Sequence, residues 1–182
     1  MITLRELLVE DKDRILSWRN LPHVHRYMYT ERTITPEEHD RWFAGVRSDA
    51  TKKYWVICSD DVGIGIANLY DISHQHKRCS WAFYLASEDV RGKGIGGCVE
   101  YLVMSHVFDE QLLNKLCCEV FLANEAVWQM HMRFGFQREA LYRQHIFKDG
   151  QFHDVVALAI LRDDWLAIRE SIRARLMQRH LI

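Results

Sequence analysis

The sequence predicts a single α/β domain over residues 1–182, in which one mixed, mostly antiparallel twisted sheet of about seven strands is flanked by helices. The chain of 182 residues is 48% hydrophobic and 27% charged, which is typical of one globular domain with a sizeable core. Stretches with strand character are paired around short turns, and stretches with helical periodicity separate the remaining strands. The predicted element order is βααβββαβαββα.

The first 50 residues are predicted to contain one strand and two helices. These elements are an edge strand (residues 2–8), a short helix (10–20) and a second helix (35–47), with an irregular aromatic stretch between the helices (21–34). Asp11 is the candidate N-cap of the first helix. The second helix has a stronger start signal, because Thr35 and Glu38 form a capping box around Pro36.

The rest of the chain predicts six strands and three helices. The strands are a hairpin (53–59 and 63–72) turning at SDDVG, a third strand (78–86), a strand apolar on both faces and therefore central (115–122), and a final hairpin (136–161) turning at KDG. The helices are an amphipathic one after the glycine-rich stretch (95–107), one between Asn124 as cap and Gly135 (124–134), and a C-terminal one (162–178).

The glycine-rich stretch EDVRGKGIGGCVEYL contains Gly92, Gly94 and Gly97, which spell the G-x-G-x-x-G fingerprint of dinucleotide-binding folds. That fold places this turn directly after its first strand. Here three further strands and two helices come earlier, and an antiparallel hairpin follows. The Walker A pattern is also absent. The sequence therefore argues against a dehydrogenase and against a P-loop enzyme.

The same stretch has the chemistry of a pyrophosphate cradle. Backbone amides from Val90 to Gly96 can converge without side-chain obstruction, and they lead into a helix N-terminus with its partial positive charge. Arg91 and Lys93 add full positive charges. The alternative is an ordinary glycine turn with solvated charges.

The motif Arg91-x-x-Gly94-x-Gly96, between a strand and a helix, resembles the signature of the GNAT superfamily of N-acetyltransferases. Asn124, followed by Gly135 and Phe136, is similar to the second conserved block of that family. The resemblance covers nearly the whole chain and implies acetyl-CoA as the acetyl donor. It also implies that the two central strands, around Tyr84 and Glu119, splay apart to admit the thioester.

The resemblance also implies which residues hold acetyl-CoA. Its pantetheine would hydrogen-bond along the strand that ends at Tyr84 and Leu85, with Asn124 nearby. The residues expected at the pyrophosphate are consecutive: Val90, Arg91, Gly92, Lys93, Gly94, Ile95 and Gly96.

Glu119 is the candidate general base. It lies in the middle of a predicted central strand, where burial would raise the pKa of a carboxyl group towards that of a working base. The alternative is a structural salt bridge, for example to Arg133 or Arg143. Backbone N–H groups on the Tyr84 strand are candidates for polarising the thioester carbonyl.

His131 is the candidate general acid. Many relatives carry a tyrosine seven residues after the asparagine of the second block, and here that position is His131. A histidine can protonate a leaving thiolate as well. The alternative is a histidine that only packs beneath the donor. Direct transfer is expected, since no base accompanies Cys117 or Cys118 for a cysteine-linked intermediate.

The acceptor is expected in the N-terminal half, where three stretches, WRN, RYMYT and EEHDRWF, combine aromatic rings with polar groups. The residues predicted at the acceptor are Arg19, Met28, Tyr29 and Trp42. Such a lining suits a nucleotide-linked sugar, because a base stacks on a ring and an arginine binds a pyrophosphate. The alternative for Trp42 is that it packs in the hydrophobic core beneath its helix.

SWRN, EEHDRWF and the C-terminal hairpin resemble the amino-sugar N-acetyltransferases of pseudaminic acid biosynthesis, which acetylate the 4-amino group of a UDP-linked 4-amino-4,6-dideoxy-N-acetyl-altrosamine. Ribosomal-protein N-terminal acetyltransferases share much of the pattern and are the second candidate. An acidic groove from Glu31, Glu37, Glu38 and Asp40 would favour them. A non-catalytic acyl-CoA-binding domain is the third.

Composition excludes several other classes. With 24 basic against 25 acidic residues, the chain has no overall bias towards nucleic acid. The N-terminus does not resemble a signal peptide, and no apolar run is long enough for a membrane span. Five cysteines without a C-x-x-C motif suit free thiols in the cytoplasm, and the His-x-His pairs lack metal-site spacing, so no metal is expected. A homodimer stays open.

Overall fold

A computed structural model describes residues 1–90 and 92–182 and contains one seven-stranded sheet in the order β1-β2-β3-β4-β5-β7-β6. The strands are β1 (Ile2–Glu6), β2 (Lys53–Ser59), β3 (Val62–Ser73), β4 (Arg78–Leu85), β5 (Lys115–Phe121), β6 (Gln137–Lys148) and β7 (Gln151–Leu161). All neighbours pair antiparallel except β4 and β5, which are parallel. The predicted mixed, mostly antiparallel sheet is confirmed, as is β1 as an edge strand.

Six α-helices accompany the sheet in the described residues. They are α1 (Lys12–Arg19), α2 (Pro22–His25), α3 (Pro36–Val46), α4 (Ile95–Ser105), α5 (Glu125–Arg133) and α6 (Arg162–Gln178). A 3₁₀ turn (Val9–Asp11) precedes α1, and a π-helical turn (His106–Glu110) extends α4. No helix in the described part of the chain is long and apolar enough to cross a bilayer.

The two hairpin turns have the backbone that their residue types favour. Asp60 and Asp61, between β2 and β3, have φ angles of 47° and 66°, and Asp149 and Gly150, between β6 and β7, have 51° and 75°. Positive φ at both central residues of a two-residue loop matches the right-handed twist of the flanking strands. Local sequence thus sets the register of both hairpins.

The helices cover both faces of the sheet and create two cores. The larger core packs α4 and α6 against one face and includes the fully buried side chains of Trp81, Phe108 and Trp165. The smaller core packs α1 and α3 against the other face, around Ile15 and Phe43. Because side chains alternate along a strand, neighbouring residues of β4 and β5 point into different cores.

β4 and β5 pair over only three residues each. Arg78–Ser80 of β4 pair with Lys115–Cys117 of β5, and the remaining residues of both strands do not pair with one another. This is the expected splay between the central strands. It opens a wedge in the middle of the sheet, where backbone groups of both strands lack a partner strand.

Near the N-terminus, one predicted cap is confirmed, and the other residue occupies its predicted N-cap position without a capping hydrogen bond. The Thr35 hydroxyl accepts from the Glu38 N–H, and the Glu38 carboxylate accepts from the Thr35 N–H, as the capping box predicts. The Asp11 side chain does not cap α1. Its carboxylate accepts from the backbone of Leu8 and from two arginines instead. The stretch predicted to be irregular contains the short helix α2.

The predicted boundaries of α5 are close to those observed. Asn124 occupies the N-cap position of α5, but its side chain makes no capping hydrogen bond. Gly135, with a φ of 93°, ends the helix as predicted. Because the Asn124 side-chain amide makes no capping hydrogen bond, its oxygen and nitrogen are available to a ligand.

Candidate active site

The wedge between β4 and β5 is part of a cleft with a volume of about 1040 Å³. Its walls come from β4, β5, the glycine-rich loop, α5, α6 and the segment after α2. On one face of the sheet lie Trp81 and Phe83, whose rings stack at 5.4 Å, and on the other lies Glu119 beside Tyr29. A ligand in the wedge is therefore accessible to groups from both faces.

The glycine-rich loop leads into α4 at one end of the cleft. Gly92 and Gly94 have φ angles of 75° and 82°, a conformation that glycine adopts without strain, and a Cβ at Gly92 would meet nothing within 4 Å. The open backbone followed by a helix N-terminus at Ile95 suits a phosphate group. Gly97 serves packing, since a Cβ there would lie 2.6 Å from the Phe134 ring.

Most residues predicted to bind the donor line this cleft. They are Tyr84, Leu85, Val90, Gly92, Gly94, Ile95, Gly96 and Asn124. Lys93 is exposed and does not line the cleft. Arg91, predicted beside the pyrophosphate, lies outside the described residues.

Two arginines of α6 line the cleft and were not predicted there. Arg175 lies in the last turn of α6, and Arg179 is the residue that follows the helix. Arg179 Nη1 lies 3.5 Å from the position that a Cβ atom would occupy at Gly94. They bring positive charge to the glycine-rich loop, where phosphates would need it. The basic run RARLMQR indicates positive charge at the end of the chain, but the position of its arginines in the structure depends on how α6 packs.

Glu119 projects from β5 towards the segment after α2. The Tyr29 hydroxyl donates to Glu119 Oε2 at 3.0 Å, and among the described residues neither Arg133 nor Arg143 pairs with the carboxylate. The side chain is exposed to the cleft, so the premise that Glu119 is buried is wrong. Partial burial and the Glu119 charge raise the pKa of Tyr29, which therefore remains a hydrogen-bond donor.

His131 lies on the opposite face, at the base of the cleft. Its side chain is 3% exposed, and its Nδ1 lies 2.7 Å from Oε1 of the fully buried Glu100 of α4. The imidazole contacts Trp81 edge-on, with ring centroids 5.3 Å apart. The sequence predicted His131 as a site residue but not Glu100, because Glu100 has the pattern of an ordinary polar residue on a helix.

A second cavity of about 430 Å³ adjoins the cleft along β4, and Met28, Phe83 and Tyr84 line both. It contains Arg19, Met28 and Trp42 of the predicted acceptor residues, while Tyr29 lines the cleft itself. Trp42 packs edge-on against Tyr54 with ring centroids 5.2 Å apart, so it also contributes to the core. The four residues predicted at the acceptor thus line these two adjoining cavities.

Arg19 and Tyr84 line this second cavity, and each has a buried polar atom. These atoms, Arg19 Nη1 and the Tyr84 hydroxyl, have no hydrogen-bond partner in the described structure. Burial lowers the pKa of Arg19 and raises that of Tyr84. Since buried polar groups without partners are costly, these atoms point to a ligand with acceptor oxygens.

The two cysteines of β5 are poorly suited to nucleophilic attack. Burial raises the pKa of Cys117 and raises that of Cys118 well above its ordinary value, which disfavours the thiolate. No group of three or more potential metal ligands occurs within the described ranges. The arrangement places the Glu119 carboxylate and the His131 imidazole on either side of the wedge.

Residues 1–137 match the family model described as an acetyltransferase (GNAT) domain. The chain belongs to the GNAT acetyltransferase family. It is therefore an N-acetyltransferase, and acetyl-CoA is its acetyl donor.

Among its GNAT relatives is acetyltransferase PseH of Campylobacter jejuni, 28% identical over 131 residues, or 72% of this chain and 80% of that protein. Spermidine N(1)-acetyltransferase of Escherichia coli K12 is 25% identical over 166 residues, or 91% and 89%. The structure of spermidine N-acetyltransferase from Vibrio cholerae with CoA and spermine has a TM-score of 0.85 at 21% identity, covering 91% of this chain and 98% of that one. That structural likeness supports the GNAT fold.

The residues of this GNAT protein fit acetyl-CoA. The glycine-rich loop with Arg175 and Arg179 is suited to the phosphates, and the unpaired edge of β4 up to Leu85 offers backbone groups to the pantetheine amides. The Asn124 amide lines the same cleft. When bound, acetyl-CoA supplies an activated acyl carbon and a thiol leaving group.

Proposed function

We propose that this protein acetylates the amine of a nucleotide-linked amino sugar, with the 4-amino group of UDP-linked 4-amino-4,6-dideoxy-N-acetyl-altrosamine in pseudaminic acid biosynthesis as the specific acceptor. The observation that carries the proposal is the second cavity, which is lined by Arg19, whose Nη1 atom is buried without a hydrogen-bond partner in the described structure. Such a group favours an acceptor that brings phosphate or carbonyl oxygens and disfavours one that brings further positive charge.

Aromatic side chains beside Arg19 support a nucleotide or sugar acceptor. Trp42 stacks on His39 with ring centroids 5.0 Å apart and contacts Tyr54 edge-on. These rings line the cavity together with the polar side chain of Asn68. Flat apolar surfaces with a few polar atoms suit the faces of a base or a sugar ring.

The acidic groove that a basic peptide or polyamine would need is largely neutralised. Glu38 pairs with Arg32 at 2.5 Å, and Asp40 pairs with Lys12 at 2.7 Å. The Glu31 carboxylate accepts from the Asp149 N–H at 3.1 Å. These contacts weigh against ribosomal tails and spermidine, although both acceptor classes occur among GNAT acetyltransferases related to this chain.

In the proposed reaction, the acceptor amine lies on the Glu119 face of the wedge. The Glu119 carboxylate takes the proton that the amine loses, while Tyr29 holds the carboxylate in place through its 3.0 Å hydrogen bond. Unpaired backbone N–H groups of β4 orient the acyl carbonyl. His131, on the other face, is the donor of the proton that the leaving sulfur needs.

Release of the CoA thiol, measured with three acceptors in parallel, tests this function. The acceptors are the UDP-linked 4-amino sugar, a ribosomal N-terminal peptide and spermidine, and product mass locates the acetyl group. We expect turnover with the sugar. Turnover with the peptide or spermidine alone contradicts the proposed acceptor, and CoA binding without turnover on any amine indicates a binding domain.

An Arg19→Met variant tests the observation behind the proposal. It retains an apolar stem but loses the guanidinium, so KM for the nucleotide sugar should rise at least tenfold while the Kd for CoA is unchanged. Arg41→Met is the matched control, because Arg41 is an exposed residue of α3 that does not line the cavity. Equal KM values in the two variants would contradict the role of Arg19.

A further inference from the structure

Glu100 has no role in the chemistry described so far, yet it is fully buried beneath the donor cleft. Its Oε1 contacts His131 Nδ1 at 2.7 Å, and its Oε2 has no partner among the described residues. A carboxyl group in the middle of an otherwise apolar helix face is costly to bury. The hydrogen bond to His131 is the interaction in the described structure that offsets the cost of burying Glu100.

The surroundings of the pair are apolar. Trp81 from β4 and Phe136 each place a ring 5.3 Å from the His131 ring. Burial raises the pKa of Glu100, and among the described residues His131 is the charged group that acts on it. The neighbouring titratable group is the Cys118 thiol of β5, whose pKa burial also raises. The pair is thus electrostatically isolated.

This isolation decides how many protons the pair holds. With two protons the pair is neutral overall, either as imidazolium and carboxylate or as imidazole and carboxylic acid. With one proton it has a net negative charge, and the described residues place no cation beside it to balance that charge. Because an uncompensated buried charge is far more costly than a neutral pair, the neutral two-proton form is the favoured one.

We propose that Glu100 is a positioning residue that keeps a proton on His131 Nε2, ready for the sulfur that leaves acetyl-CoA. Glu100 occupies Nδ1, so the proton available for transfer is on Nε2, and His131 lines the cleft. This inference rests on the acetyl transfer in the proposed function, but not on the identity of the acceptor.

The proton balance of the step is complete. The amine nitrogen forms a bond to the acyl carbon, the carbon–sulfur bond breaks, and the sulfur takes the Nε2 proton of His131. The amine gives one proton to Glu119, on the opposite face. The Glu100–His131 pair is left with one proton and regains the second from solvent, while Glu119 releases its proton to solvent.

NMR of the protein with ¹⁵N-labelled histidine tests the pair without any acceptor. The His131 signals are assigned by their absence in His131→Tyr. We expect Nε2 of His131 to carry a proton at neutral pH. In Glu100→Gln the fraction of molecules with a proton on Nε2 should fall, because the carboxyl group no longer engages Nδ1. A wild-type Nε2 without a proton, or the same Nε2 protonation in Glu100→Gln, overturns the proposal.

Kinetics separate this role from a structural one. Glu100→Gln should lower kcat at neutral pH by about 100-fold, since that is a typical contribution of general acid catalysis. In the His131→Tyr background, where the phenol brings its own proton, Glu100→Gln should cost less than threefold. An equal loss in both backgrounds overturns the proposal.

Glu110→Gln is the matched control. Glu110 forms the same kind of contact, Oε2 to His106 Nδ1 at 2.6 Å, but neither residue lines the cleft. Its kcat and pH profile should equal those of the wild type. The acceptor panel and the histidine NMR test the two proposals separately. If the proposed acceptor is wrong, the His131 signals are unaffected. If the role of Glu100 is wrong, the acceptor preference is unaffected.

Discussion

At the residue scale, the alternation of side chains along β5 places Glu119, the proposed base, on the face opposite His131, the proposed acid. Cys118 and Val120 face the larger core, whereas Glu119, between them, faces the cleft and Tyr29. The sequence pattern predicts Glu119 as the candidate base, but it did not reveal that the strand is half open at that position. An exposed carboxylate is available to an incoming amine.

Glu119→Gln should reduce kcat by about 100-fold or more, because the amide cannot accept the amine proton. The Kd for CoA should be unchanged, since the donor is held by other residues. Stopped-flow or steady-state thiol release gives kcat, and calorimetry gives the Kd. Tyr29→Phe, which removes only the hydrogen bond to the carboxylate, should cost less. A Glu119→Gln enzyme with wild-type kcat would exclude this base.

Asp11 makes the N-terminal region sensitive to acid. Its carboxyl is 2% exposed, and although burial opposes ionisation, hydrogen bonds from Arg5, Leu8 and Arg14 lower its pKa to about 2. The ordinary value is 3.8, so the charged form contributes on the order of 2 kcal/mol to folding. Because the folded pKa is depressed, this stability is present above about pH 4 and is lost as the pH falls towards 2.

Asp11→Asn should therefore lower the free energy of unfolding at pH 7 by about 2 kcal/mol or more. The difference from wild type should shrink as the pH falls from about 4 to about 2. Urea unfolding across this range measures it. Asp13→Asn is the control, because the Asp13 side chain is 93% exposed. A difference that is independent of pH would contradict the assignment.

At the element scale, the β6–β7 hairpin supports the acceptor side of the cleft. Lys148, at the end of β6, is 2% exposed, and its Nζ donates to the backbone carbonyls of His25, Arg26 and Met28. These carbonyls belong to the end of α2 and the turn after it. The hairpin thus holds the segment that presents Met28 and Tyr29.

Lys148→Met should release this segment while retaining the apolar stem of the side chain. We expect KM for the acceptor to rise about tenfold and the melting temperature to fall, because three backbone carbonyls lose a charged donor. CoA affinity should not change. Lys115→Met, at the far end of β5 where Lys115 pairs with Glu139, provides the comparison. If both variants have the same KM, the hairpin does not order the acceptor side.

Local patterns predicted most elements, but not the contacts between distant ones. The turns at Asp60–Asp61 and Asp149–Gly150 and the Thr35 capping box depend on neighbouring residues, so they could be predicted from the sequence. The contacts of Lys148 with α2 and of Glu100 with His131 join residues far apart in the chain. No periodicity encodes such pairs, since they depend on how whole elements pack.

At the scale of the whole molecule, the donor site depends on the last helix returning to the glycine-rich loop. The Cβ position of Gly94 lies 3.2 Å from Leu181 and 3.5 Å from Arg179. The Ile2 N–H donates to the Leu181 carbonyl, which ties the same segment to β1. The first strand thus holds the C-terminal segment that packs against the glycine-rich loop. Dimerisation and cytoplasmic location stay predictions.

Arg179→Gln should weaken CoA binding about tenfold, and the remaining affinity should depend less on salt, because one phosphate contact is lost. The thermal protection that saturating CoA provides should decrease in parallel. Calorimetry at low and high salt and thermal melts measure both effects. Arg173→Gln is the control, since Arg173 is exposed on α6 and does not line the cleft. Equal salt dependence in both variants would contradict this role.

The wedge between β4 and β5 gives the sheet two interior edges in addition to its outer ones. A free strand edge ordinarily invites pairing with the strands of other chains. Here the segment with Met28 and Tyr29 covers one side of the wedge and α5 covers the other. A β-strand from another chain would have to displace these two elements before it could pair with the interior edges, so the flanks of the wedge also protect the protein against aggregation through its centre.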